Sequence, residues 1–261
     1  MSVELRTYIF LDSLQLQMAS YISTISRGYY PVAGQACCVI EIAPGIEINR
    51  LTDIALKATN VTPGLQVVER SFGMLEVHSY EQADARQAGA AVLHELGKTE
   101  ADRLKPRILT SQLIRHVTDH HAQLINRVRY GNMVLRGDTL YILEVDPAGY
   151  AYYAANEAEK ASHIHIIDVQ GFGRFGRVYI AGDEAEVIES HGIVEARLAS
   201  ISGREAPPGR GAARSGQTVA SRYAWAPCTS PSSFSSWPAR RTPFRDPPPQ
   251  QALPSSGVPG R

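Results

Sequence analysis

The chain has 261 residues, room for one large domain or two smaller ones, and none of its apolar runs approaches the roughly 20 residues that span a bilayer. The formal charge of zero hides a division: residues 203–261 carry +6 and the first 202 residues −6, so the folded part is not expected to bind nucleic acid. The opening MSVELRTYIF has no basic segment followed by an apolar core, so a soluble, cytoplasmic protein with no membrane partner is expected.

In chain order, RTYIFLD (6–12) reads as a strand and LQLQMASYIST (14–24) as a helix. CCVIEIAP (37–44) is a second strand, whose alternation sends Cys37 and Cys38 to opposite faces as buried structural thiols. Three cysteines without C-x-x-C spacing suit neither a disulfide framework nor a metal site. INRLTDIALKATN (48–60) places Leu51, Ile54, Ala55 and Ala58 at helical spacing, and LQVVERSFGMLEVHS (65–79) is extended again. EQADARQAGAAVLHELG (81–97) is an Ala-rich helix that stops at Gly97.

The pattern then starts over. Sliding residues 5–97 onto 108–200 at a fixed offset of 103 pairs Ile22 with Ile125, Gly28 with Gly131, Gly34 with Gly137, Glu41 with Glu144 and Pro44 with Pro147. The same offset pairs Ala55, Lys57 and Ala58 with Ala158, Lys160 and Ala161, and Phe72-Gly73 with Phe175-Gly176, without a gap. Such register marks a tandem duplication of a unit of about 100 residues. Domains are expected at 1–100 and 101–202, meeting near KTEADRLKPR (98–107). The second copy continues with TLYILEVDP (139–147), NEAEKAS (156–162), HIHIIDV (163–169), RVYIAG (177–182) and EAEVIESHGIVEARLAS (184–200). Strands joined through helices, with one sheet face covered, give tandem α+β domains of ferredoxin-like type. Residues 203–261 hold 11 of the 16 prolines and no periodicity, so they are expected to be disordered. Their all-Arg, Pro/Ser/Gly-rich makeup also resembles out-of-frame translation of a G+C-rich gene.

Few motifs carry chemistry. GFGRFG at 171–176 spells G-x-G-x-x-G, but a dinucleotide site needs a helix to start inside it, and RVYIAG reads as a strand. His116 and His120 stand at the i, i+4 spacing of a helical zinc site without a third ligand or a general-base Glu. His163 and His165 share one strand face as polar surface, and Glu157 and Glu159 read as the solvated face of a helix. No nucleophile elbow or Cys/His pairing recurs in both copies, so neither an enzyme nor a cofactor or metal is expected.

IALKATNV (54–61) and its second copy NEAEKASHI (156–164) resemble the helix-end signature of bacterial microcompartment shell domains. With RTYIFLDSLQLQMASY, LTDIALKATNV, VVERSFG, HAQLINR, ILEVDPAGY and AANEAEKAS, residues 4–200 are similar to the circularly permuted tandem-domain shell proteins of carboxysomes. The resemblance implies a homotrimer whose six domains imitate a hexagonal tile, with some tiles stacked in pairs and other shell proteins as neighbours. It implies a central pore gated by Glu69 and Arg70, with Gly171, Phe172 and Gly173 as the matching loop of the second copy, small and able to yield. Lys57 and Lys160 fall on the lysine at tile edges, and the implied cargo is anionic, sugar phosphates such as ribulose bisphosphate and phosphoglycerate. Physically, a charge pair at a strand end is costly if buried but well placed where three copies meet water. Arginines at a constriction attract phosphate and carboxylate. The competing readings are an ordinary surface salt bridge at Glu69 and Arg70, a nucleotide-binding enzyme using the loop Gly171–Gly176, and a soluble ferredoxin-like ligand sensor.

Overall fold

The computed structural model describes residues 3–206. The disorder and out-of-frame origin expected of the tail concern positions that, from 207 onward, lie outside the described residues. Residues 203–206, counted with that tail in the sequence, are instead tied to the folded part. Arg204 bridges Leu104 in parallel, donates its amide to the Arg103 carbonyl at 2.7 Å and accepts the Lys105 amide at 2.8 Å.

The first copy runs β1 (Glu4–Leu11), α1 (Leu16–Ile25), β2 (Ala36–Ala43), α2 (Ile48–Ala58), β3 (Thr62–Glu69), β4 (Phe72–Ser79) and α3 (Gln82–Leu96). The second runs β5 (Arg107–Ile114), α4 (Asp119–Asn126), β6 (Thr139–Asp146), α5 (Tyr150–Ala161), β7 (His165–Gln170), β8 (Gly176–Gly182) and α6 (Glu184–Ala199). Each copy builds one four-stranded antiparallel sheet, ordered β1-β2-β4-β3 and β5-β6-β8-β7. These are two α+β domains.

The offset of 103 holds at the level of atoms. Gly34 and Gly137 take φ of 88° and 89°, and cis peptides precede both Pro44 and Pro147. After α1, the amides of Gly28 and Tyr29 bond the carbonyls of Gly64 and Pro63; after α4, those of Gly131 and Asn132 bond Ile167 and Ile166. A β-carbon at Gly73 would collide with the Gly45 carbonyl and one at Gly176 with the Ala148 carbonyl, so both glycines let a loop approach its hairpin closely. Gly97 ends α3 at φ 62°, with Gly97 and Lys98 amides returned to His94 and Leu93, as its position in the sequence predicts.

The helices form where apolar spacing gives one buried stripe. In α2, Ile48, Leu51, Thr52 and Ala55 face the first sheet while Asn49, Asp53 and Lys57 point outward. Its counterpart α5 is buried along Tyr150, Ala151, Tyr152, Ala154, Ala155, Asn156, Glu157 and Ala158, too many for one face. That helix is held between its own sheet and the first copy, and the expectation of one covered sheet face fails for the first sheet. Cys38, Ile40 and Ile42 pack with α2 and α3 on one side. Cys37, Val39, Leu65 and Met74 join α1, Tyr150 and Tyr152 on the other. Both cysteines are fully buried on opposite faces, and burial pushes both thiols up, Cys38 to about 12.

Candidate functional site

The β3–β4 hairpin turns at Arg70 and Ser71, directly after Glu69 ends β3. Arg70 adopts φ 52°, and its guanidinium Nε lies 3.7 Å from Glu69 Oε1 with the Arg70 side chain 92% exposed. A pair this exposed contributes little to stability. Gly173 is the counterpart of Arg70 and also has positive φ, 99°. A β-carbon on Gly173 would lie 3.7 Å from Glu69 Cγ, so the hairpin tips of the two copies converge. Gly171 has a different task from the small, yielding one expected. A β-carbon there would strike the Tyr152 ring, so Gly171 clears space for a buried side chain.

A buried charge cluster packs behind this turn, against Phe72. Arg6 stacks over Phe72 at 3.9 Å, and its Nε donates to Glu41 Oε1 at 2.9 Å and its Nη2 to Asp146 at 3.2 Å. Glu41 also accepts the Thr7 hydroxyl and the Gly149 amide, both at 3.0 Å. Burial pushes the Glu41 carboxyl above its usual range, opposed by Arg6 and by the amide and hydroxyl donors. The cluster joins β1 and β2 to the start of α5 and so fixes one copy on the other.

The rest of that joint is made by residues the sequence places on a solvated face. Glu159 accepts the Gln17 and Met18 amides at 2.8 and 2.9 Å, supplying a carboxylate to the uncapped N-terminus of α1. Glu157 is buried against Lys160 and Arg197, at 3.3 and 3.4 Å. Asn156 accepts the Gln15 amide at 2.9 Å, and Lys160 Nζ reaches Asp12 at 2.6 Å. The two edge-lysine candidates are therefore unlike: Lys160 is pinned between the copies, while Lys57 is 74% exposed beside Asp53. The signal that could have found the joint is a mismatch across the offset, Tyr152 against Asn49, Asn156 against Asp53 and Glu159 against Leu56.

Among the described residues, the corresponding surface of the second copy has no such cover. Leu124 and Val128 on and after α4 are 64% and 72% exposed, whereas Tyr21, the counterpart of Leu124, is 4% exposed under the second copy. On the second sheet, Glu144, Tyr179 and Arg177 line an open face where their counterparts Glu41, Glu76 and Met74 are buried. A cavity of about 400 Å³ opens there between α4 and β7–β8, lined by His121, Leu124, Arg129, Asp168, Arg177 and Tyr179.

The family described as the CsoS1D N-terminal domain matches residues 5–102. The carboxysome shell protein CcmP of Synechococcus elongatus is 54% identical over 210 residues, covering 80% of this chain and 99% of that protein. The chain belongs to this family of carboxysome shell proteins. The carboxysome shell protein CsoS1D of Hydrogenovibrio crunogenus is 47% identical over 72% of this chain and 92% of its own. Among solved structures, the fused permuted hexameric shell protein MSM0275 is 44% identical with a TM-score of 0.75, over 77% of this chain and all of that one. The double ringed trimeric shell protein MSM0271 is 39% identical with a TM-score of 0.76, over 78% and all.

A structural shell component leaves the rival motifs without a role. G-x-G-x-x-G joins two strands, β7 and β8, so no helix N-terminus begins inside it to hold a pyrophosphate. His116 precedes α4 and has φ 54°, so it does not share a helix face with His120 and the zinc spacing is not realised. His163 and His165 are exposed, with ring centroids 6.4 Å apart.

Proposed function

We propose that three copies close into a pseudohexameric trimer that tiles the carboxysome shell, with a central pore gated by Glu69 and Arg70 for anionic metabolites such as sugar phosphates. The observation that carries this reading is the uneven cover of equivalent faces: the first sheet is buried by α1 and the second copy together, whereas on the second sheet α4 covers only part of that face and, among the described residues, Glu144, Arg177 and Tyr179 stay open. A first copy from another chain fits it, and repetition of that joint closes a ring of six domains. The convergent hairpin tips then meet around the threefold axis, Arg70 supplying positive charge and Gly173 leaving space. Lys57 stands at the tile rim, and Lys160 approaches the rim from within its ion pairs. Exposed Tyr30 and Val32, matched by exposed Met133 and Leu135, form an apolar band suited to pairing two trimers face to face.

Mass measurement should give a trimer or a pair of trimers at micromolar concentration, and a stable monomer would refute the tile. A structure of Glu69→Ala with Arg70→Ala should show a permanently wide opening in an otherwise unchanged trimer. Either residue lying beyond side-chain reach of the threefold axis would refute the gate.

A further inference from the structure

The joint inside the chain contains one hydrogen-bond set that the joint between chains cannot reproduce. Gln17 on α1 donates from Nε2 to the Ile164 carbonyl at 2.6 Å, while its Oε1 accepts the Ile166 amide at 2.9 Å and Asn132 Nδ2 at 2.8 Å. One side-chain amide thereby fastens α1 to the start of β7, using both its donor and its acceptor. Shifted by the offset, Gln17 becomes His120, Ile164 becomes Val61, Ile166 becomes Pro63 and Asn132 becomes Tyr29. Pro63 has no N–H, and Tyr29 carries a ring hydroxyl where Asn132 carries a side-chain amide. A glutamine at position 120 would face the carbonyl at 61 correctly but hold its own oxygen opposite a proline ring.

Histidine removes that conflict, because a neutral imidazole needs only one donated bond to satisfy its N–H and can turn its other nitrogen to water. His120 is exposed at the start of α4, on the surface that lacks its cover. Pro63 lies in β3, the edge strand of the first sheet, as Ile166 lies in β7 of the second. Resting on the trimer reading, we propose that His120 of one copy and the Val61–Pro63 edge of the next form a matched contact that specifies the joint between chains. Its occupant is a second copy of this chain. The pairs Gln17 with Ile166 and His120 with Pro63 are two versions of one lock, and crossing them leaves a part-buried acceptor unpaired.

The experiment is a cycle on the full chain, read as the trimer dissociation constant by analytical ultracentrifugation, with circular dichroism confirming the fold of each variant. His120→Gln is expected to weaken association about fivefold, the cost of an amide oxygen left without a partner in a part-buried contact. Adding Pro63→Ile, which restores the amide donor of the internal joint, should recover most of that loss. Pro63→Ala supplies the same N–H should isoleucine disturb the fold. A trimeric wild type with His120→Gln unchanged, or a folded double variant with no recovery, overturns this contact and leaves the trimer standing. A monomeric wild type overturns both.

Discussion

One fold occurs twice in this chain, and the same face of its sheet meets opposite fates. In the first copy Glu41, Glu76 and His78 are sealed beneath the second copy, with Glu76 and His78 in contact at 3.0 Å. In the second copy Glu144 and Tyr179, the counterparts of Glu41 and Glu76, border open solvent, while Ala181 in the place of His78 stays buried under α4. Equivalent backbones therefore do not dictate equivalent burial. Burial follows from what docks, and among the described residues only the first sheet receives the other copy on this face.

The largest effect should come from the ring at the centre of the closed joint. Tyr152 is fully buried, and Tyr152→Ala should cost about 3–5 kcal/mol in chemical denaturation, the range for truncating a buried aromatic. Its exposed counterpart should be indifferent: Asn49→Ala should stay within about 0.5 kcal/mol. Equal losses at both positions would break the comparison.

Next comes the carboxylate that serves the other copy's helix. Glu159→Ala removes the carboxylate that caps α1 and should cost about 1–2 kcal/mol, with amide exchange at Gln17 and Met18 accelerated. Leu56→Ala at the matched position should leave those amides unaffected. The hairpin tips should differ more mildly. Gly173→Ala forces a β-carbon into positive φ and should destabilise by about 1 kcal/mol, whereas Arg70→Gly should gain up to about 1 kcal/mol by relieving it. Denaturation of the two variants in parallel separates them by sign.

The smallest effect is a titration. The Lys160 ammonium bonded to Asp12 holds the Asp12 carboxyl below its usual range. A lowered folded value means that the stabilisation is present above the ordinary carboxylate value, about 3.9, and is lost as pH falls through the folded one. Lys160→Met should let Asp12 titrate near its ordinary value by NMR. The stability gap to the wild type should be largest at neutral pH and close in acid. Asp12 unmoved by that substitution would show that the ion pair is not the cause.

Much of the fold is legible in the residues because its signals are local. Alternation in CCVIEIAP sets Cys37 and Cys38 apart, apolar spacing marks α2, and Gly97 ends α3 through backbone geometry that any context would require. The offset of 103 carries that reading to β5 and α4, whose own patterns are weak: β5 alternates imperfectly and α4 is only eight residues long. The charged hairpin tip at Glu69 and Arg70 is legible as well, since a charge pair at a strand end asks for solvent.

Glu157 and Glu159 show where such reading stops. Carboxylates on a helix look solvated unless something from elsewhere in the chain arrives to use them: α1, some 140 residues distant in sequence, takes up Glu159, and Arg197 on α6 takes up Glu157. Gly171 is similar, a flexible residue by type that is fixed by the ring of Tyr152. By itself the sequence determined two copies of one α+β unit, their elements and the charged turn at Glu69 and Arg70, because periodicity, caps and repeats act over short range. Only the tertiary structure decided which face of which copy is covered, which lysine is pinned and which face stays open, because docking depends on long-range complementarity between side chains that no local pattern encodes.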